Sequence, residues 1–330
     1  MNRIYELRCN GKHWLGTVPL FNPKTGMPIA DPPGQGNGYW IGAPSAIYDD
    51  ETRRFYIYCR LRKPRGEGRG YECRIYESED GITLNQIWKA TKQDLNTESM
   101  ERAALVKTPG GIYRLYMSYV DPADGRWRID LLEAESPSKF DIHKRTKILC
   151  AADIGVEGVK DPYILIVGGK YYMFLSYAPP APNADHETRK AMHATFDVYN
   201  TGITKSCTGL AVSLDGVNFS WIGDVLSPGD SGWDKYATRI SSIIYAPPVF
   251  TAFYDGIPDV KDNYEEKTGL AISFDLVHFE RLTPGGPILT SPNSPGTLRY
   301  IEVVPHEDKF YYFYEFARPD GSHDLRVSIV

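Results

Sequence analysis

Five times along the chain an apolar stretch, a tight turn and an aromatic-rich stretch follow one another, at residues 45–61, 103–120, 162–178, 241–255 and 300–317. Each reads as a β-hairpin, because apolar and aromatic side chains suit a pleated, half-buried surface and the turn between them reverses the chain. With Ala43, Glu101, Asp161, Thr238 and Arg299 as the starts, the spacings are 58, 60, 77 and 61 residues. The second strand begins 12 residues after the start in four copies, as from Ala43 to Phe55, and 10 in the third. A further marker follows: Ser78, Ser136 and Ser273 lie 35 residues after their starts, but Ser213 lies 52 after Asp161. The third copy therefore carries an insertion, which falls at residues 178–206.

Around three of these serines the sequence is Ser78-Glu79-Asp80-Gly81, Ser213-Leu214-Asp215-Gly216 and Ser273-Phe274-Asp275. This is turn chemistry, in which Asp bonds the local backbone and Gly accepts a positive φ. A unit of four short strands cannot bury both of its faces alone, and radial repetition solves this by packing each unit on its neighbours. The repeat thus predicts an all-β fold, a five-bladed β-propeller occupying residues 1–330 as one domain. The last copy has room for only a third strand, at 324–330. Residues 3–8 are expected to supply its fourth strand and close the ring.

Composition narrows the partners. The net charge is −5 and no run of Lys or Arg stands out, so neither nucleic acid nor an anionic membrane is expected. The five cysteines are widely spaced and lack any CxxC pair, which suggests neither a zinc site nor a disulfide framework. Cys59 and Cys150 sit in apolar runs and read as core residues. The first residues contain no apolar stretch suited to a signal peptide, and the expected location is the cytoplasm.

In a propeller the innermost strand of every blade starts at the mouth of the central channel, so the five starts converge. They read Gly42-Ala43-Pro44, Met100-Glu101-Arg102, Lys160-Asp161-Pro162, Thr238-Arg239 and Leu298-Arg299-Tyr300. Charges seldom head a buried strand without a partner. They either pair with one another, as Glu101 with Arg299 and Asp161 with Arg239, or face a ligand. Asp234, in the loop entering the fourth inner strand, is the best third carboxylate, and Glu302 lies deeper in the last one. The insertion, with His186, Arg189 and His193, could form a lid. Trp14 and Trp40, in the segment before the first strand, offer flat rings at the same end. The basic, glycine-rich loop at 63–69 has no strand-to-helix context and is not a nucleotide phosphate loop.

Five blades, the Asp161-Pro162 opening of an inner strand, the strand 170–178 and the Ser-x-Asp-Gly turns together resemble the five-bladed propeller glycosidases. These include glycoside hydrolase families 43, 32, 62 and 117 and the mannoside phosphorylases of family 130. The resemblance implies acids at the heads of successive inner strands, acting as base or nucleophile, orienting aspartate and general acid. Carried onto this chain, it implies Glu101 as base, Asp161 as orienter, and Asp234 or Glu302 as acid. Ala43-Pro44 departs from the pattern, since an Asp-Pro is expected there; the set is either shifted by one blade or hydrolysis is lost.

Glycoside cleavage needs one carboxylic acid to protonate the leaving oxygen and one carboxylate to activate water or attack the sugar. Planar guanidinium groups at Arg102, Arg239 and Arg299 suit a uronic acid substrate or a phosphate nucleophile. Trp14, Trp40, His186 and His193 complete the expected carbohydrate contacts. The leading expectation is a glycoside hydrolase; the alternatives are a phosphate-dependent phosphorylase and a carbohydrate-binding propeller without catalysis. No cofactor is required, and the resemblance allows a metal ion in the channel although no ligand motif calls for one.

Overall fold

The computed structural model describes residues 18–330, together with the backbone of two short paired strands, Arg8–Cys9 and Lys12–His13. Strands dominate, and they pair in antiparallel groups of four. Trp40–Asp49, Arg54–Arg62, Gly70–Ser78 and Asn85–Thr91 form the first group, and Met100–Lys107, Tyr113–Val120, Trp127–Ala134 and Thr146–Cys150 the second. The third holds Gly158–Val167, Lys170–Ala178, Cys207–Ser213 and Ser220–Leu226, and the fourth Ala237–Ala246, Val249–Ile257, Lys267–Ser273 and Glu280–Arg281. Leu298–His306, Lys309–Ala317 and His323–Ile329 follow, and one parallel pair, His323 with Trp40, joins them to the first group; with Met27–Ala30 they make an eight-stranded sheet.

The strand expected from residues 3–8 lies mostly outside the described residues, and the edge meant for it is taken. Met27–Ala30 pairs antiparallel with His323–Ile329, Val327 opposite Met27 and Leu325 opposite Ala30. The outer edge tolerates Pro28, whose missing N–H is no loss where, among the described residues, nothing pairs beyond it. Ile29 and Ala30 meanwhile pack inward.

Apolar clusters fill the spaces between successive groups. Tyr58 and Ile75 meet Leu105 and Leu115 between the first and second, and Ile129 meets Met173 between the second and third. Phe174 meets Tyr254 and Phe253 meets Tyr312 across the next two junctions. Ile57 and Phe55 then meet Phe313 and Val327, joining the last group to the first. The first strands of the groups also touch in sequence, Leu298–His306 returning to Trp40–Asp49. Each large apolar side chain so buried contributes about 1.5–3 kcal/mol. The turns hold as read: Ser78, Ser213 and Ser273 hydroxyls bond Asp80, Asp215 and Asp275, whose carboxylates also cap the backbone N–H groups that follow. Cys59 is buried, whereas Cys150 is only partly so.

One irregularity positions the site. All five first strands slip register at the same level: between Gly42 and Ser45, Met100 and Ala103, Lys160 and Tyr163, Ile240 and Ser242, and Arg299 and Glu302. These are β-bulges, which bend the strand and re-aim its side chains. Ala43, Asp161 and Tyr300 take up the slip with φ of 51°, 54° and 56°, a left-handed conformation that costs non-glycine residues about 1–2 kcal/mol.

Candidate active site

Because the bulges fall at the strand heads, charged side chains enter the centre of the fold there. Glu101 receives Arg60 Nε at 2.9 Å and Arg62 Nη1 at 2.8 Å. Arg60 reaches on to Glu315 at 3.4 Å. Arg299 donates to Glu315 through Nε and Nη2, at 3.0 and 2.6 Å, and through Nη1 to Glu266. Arg239 binds Asp255 through Nε and Nη2 and extends Nη1 to Asp161 at 3.2 Å and Glu266 at 3.4 Å. Lys160 approaches Asp161 at 3.4 Å, and Tyr300 lies under the Arg239 guanidinium, 3.6 Å from ring centre to Cζ. Nearly all of these groups are buried. Opposite charges so desolvated must pair, and removing one partner costs about 3–5 kcal/mol.

The charges split the carboxyls electrostatically. Burial pushes Glu101 up, but Arg60 and Arg62 outweigh it and hold the group at about 2. Glu266 is likewise held at about 2 by Arg299 and Arg239 against its burial. Asp255 moves the other way: burial, with Glu266 adding to it, outweighs Arg239. His323 donates its Nδ1–H to the Glu315 carboxylate over 2.7 Å, and burial lowers its affinity for a second proton.

Aromatic rings roof this cluster. Trp40 stacks on His323, centroids 4.6 Å apart, with the Arg299 guanidinium 5.1 Å from its ring. Tyr264 lies over Arg62 at 4.2 Å and donates to Asp197. The insertion carries the helix His186–His193 and bridges three groups: Arg65 and Arg69 of the first donate to Thr195 and Phe196 carbonyls, Tyr199 donates to Ser176 of the third, and Asp197 takes Tyr264 of the fourth. What space remains is small: about 170 Å³ beside Trp40 and Tyr264, and about 10 Å³ between Lys160, Arg239 and Glu266.

The residues singled out from sequence divide. Glu101, Asp161, Arg239, Arg299 and Trp40 come together. Asp161 does pair with Arg239, but Glu101 pairs with Arg60 and Arg62 instead of Arg299. Asp234 does not join them; its carboxylate takes Tyr254 at 3.0 Å and Arg281, on the outermost strand of the fourth group, at 2.7 Å. Arg102 turns away from Glu101 and binds Glu302 at 2.7 Å, and Glu302 lines a separate cavity. His193 bonds Glu157 at 2.8 Å, His186 is exposed beside Glu187, and Trp14 lies outside the described residues. Sequence reasoning missed Arg60, Asp255 and Glu315. All three stand on second strands, where a lone charge inside an aromatic run was the available signal. Asp255 and Glu315 face Arg239 and Arg299 directly across the hairpin.

A metal ion in the channel does not suit these residues. Among those described, no group of His, Cys, Asp and Glu is arranged to hold one, and the central carboxylates are already neutralised by guanidinium groups.

No family model and no curated protein matches the chain. Solved structures do. A protein described as a glycoside hydrolase aligns with a TM-score of 0.67, over 92% of this chain and 90% of its own, at 14% identity. A thermostable family-43 glycoside hydrolase gives 0.60 over 88% of both chains at 17% identity. The β-1,2-mannobiose phosphorylase of Listeria innocua gives 0.59 over 94% of both at 14%. This is the fold of the β-propeller glycosidases. In this fold the acid–guanidinium cluster sits at the heads of the first strands, where the sequence placed the converging starts. No helix among the described residues is long and apolar enough to cross a membrane.

Proposed function

We propose that the strand groups close into a five-bladed β-propeller and that the chain is an enzyme acting on glycosides, with the cluster at the strand heads as its catalytic centre. The observation that carries this reading is the convergence of Glu101, Asp161, Asp255 and Glu266 around the bulges of a fold common to glycoside hydrolases and a phosphorylase. Glu101, kept ionised by two arginines, acts as base or nucleophile. Asp161 aligns Arg239 and Tyr300. Asp255, whose carboxyl is raised by burial and by the neighbouring Glu266, takes the role of acid that sequence reasoning assigned to Asp234 or Glu302. The acid delivers its proton to the leaving oxygen as the glycosidic bond breaks, and water supplies the hydroxyl at the anomeric carbon. Tyr264 and the insertion swing aside to admit substrate.

A phosphorolytic reading has its own support. All three guanidinium nitrogens of Arg239 and of Arg299 already donate to buried acids, with which a uronate or phosphate would have to compete. Arg60 Nη1, by contrast, is buried beside Glu101 without an acceptor. A phosphate oxygen there would replace water as the group attacking the anomeric carbon.

A panel of aryl glycosides, including mannosides, uronides and furanosides, assayed with and without inorganic phosphate, tests the proposal. Turnover without phosphate supports hydrolysis, and strict phosphate dependence supports phosphorolysis. Silence across the panel with saturable sugar binding would replace both with a binding propeller.

A further inference from the structure

The acids under the roof have almost no room beside them, and one loop divides what room there is. Residues 258–265 join the strands Val249–Ile257 and Lys267–Ser273 at the level of the strand heads, where Ile257 pairs with Ala237. Asn263 lines both of the small spaces: about 170 Å³ shared with Trp40 and His323, and about 10 Å³ shared with Lys160, Ser206 and Arg239. Glu265 borders the first space and Glu266 the second. Residues 263–266 therefore form the wall between a space at the roof and a space at the acids.

That wall is held at one point. Residues 258–265 are all at least partly exposed. Among the described residues, every hydrogen bond they make outside the loop passes through the Tyr264 hydroxyl, which donates to Asp197 and accepts from Asn200 at 3.5 Å. Asp197 is only 2% exposed and has Arg69 3.4 Å away. Desolvation and the Asp197 charge push the Tyr264 hydroxyl up to about 12, so it keeps its proton and donates throughout the neutral range. The backbone of Tyr264 has φ 80°, a left-handed conformation that a tyrosine adopts only where its surroundings impose it. Both ends of the loop are fixed, Ile257 by its strand pairing and Glu266 by Arg299 and Arg239.

We propose that residues 258–265 are a gate over the acid–guanidinium cluster, latched by Tyr264 on Asp197, and that releasing the latch joins the two spaces into one passage ending at Arg239, Asp255 and Glu266. A loop fixed at both ends and tied by one hydroxyl moves as a flap, because its release breaks no strand pairing and no ion pair. Relaxation of Tyr264 from its left-handed conformation offsets part of the lost hydrogen bond. Gates of this kind admit a ligand and then exclude water from the charges beneath. The purpose of the gate rests on the catalytic reading of the cluster; its existence rests on the contacts of the loop.

Thiol labelling reads the opening without any turnover. Ser206 is 8% exposed and borders the space at the acids, and its hydroxyl has no partner among the described residues, so Ser206→Cys places a reporter there. Methyl methanethiosulfonate, with peptide mapping by mass spectrometry to separate the native cysteines, should label this thiol slowly. Tyr264→Phe, added to it, removes only the latch hydroxyl and should speed labelling about tenfold or more, the effect of one hydrogen bond to an ionised group on the opening equilibrium. Asp197→Asn should act in the same direction. Tyr163→Phe removes a buried hydroxyl far from the loop, bonded to the Ile243 carbonyl at 3.0 Å, and should leave the rate unchanged. An unchanged rate in Tyr264→Phe, an equal acceleration in Tyr163→Phe, or labelling of Ser206→Cys alone as fast as a free thiol overturns the gate. A glycoside panel without turnover would remove the catalytic reading and leave this result standing.

Discussion

Replacing Glu302 by glutamine removes one titrating group and keeps its shape, and its effect on stability follows from the structure. Glu302 faces Arg102, Ser45 and Tyr163, of which only Arg102 is charged, and that single guanidinium does not offset burial. Its carboxyl is accordingly raised from 4.5 to about 7. Between these values the native state holds more protons than the unfolded chain, so stability falls as pH rises. The contribution is fully present below pH 4.5 and lost as pH passes 7. At 1.36 kcal/mol per unit over some two and a half units, the loss is about 3 kcal/mol. Urea unfolding at pH 5 and pH 7.5 reads most of it as a difference of differences: wild type should lose about 2.4 kcal/mol more than Glu302→Gln between the two conditions. Other groups, His323 among them, titrate alike in both proteins and cancel. Identical pH dependence in the two would refute the reasoning, because it would mean that Arg102 keeps Glu302 ionised throughout.

The remaining perturbations address the network and the backbone. Glu315→Leu leaves Arg299, Arg60 and His323 without their shared acceptor and should cost about 3–5 kcal/mol in chemical denaturation. Gly42→Ala places a Cβ about 2.3 Å from the Glu315 carboxylate, and the displacement should cost about 1–3 kcal/mol in the same assay. Asp234→Asn weakens the tie to Arg281 and should lower Tm, with a loss of about 1–3 kcal/mol.

What the sequence could reveal depended on whether the signal was periodic. The hairpin repeat and the Ser-x-Asp-Gly turns are local and recur, so the strand groups and the third-copy insertion could be read directly. The strand heads were legible for the same reason, since Glu101, Asp161 and Arg299 stand at starts that the repeat marks and Arg239 directly follows the start at Thr238. The closing strand was not, because Met27-Pro28 looks like a loop until a free sheet edge makes proline acceptable there. Arg60, Asp255 and Glu315 lie on second strands, and only the hairpin register reveals that two of them face an arginine. Asp234 was placed by its loop, and a loop's position does not fix which way its side chain turns; Arg281 and Tyr254 draw it outward. Nor does a sequence disclose that Arg102 turns toward Glu302 while its neighbour Glu101 turns toward Arg60.

The most direct test of a glycoside-active centre at the strand heads is the turnover of Glu101→Gln and Asp161→Asn on the best substrate of the panel, beside Asp234→Asn. With all three shown to be folded, the account predicts that the first two lose about 10²–10⁴-fold in kcat. Asp234→Asn should keep wild-type kcat. Full activity in Glu101→Gln and Asp161→Asn, or its loss in Asp234→Asn alone, would contradict it.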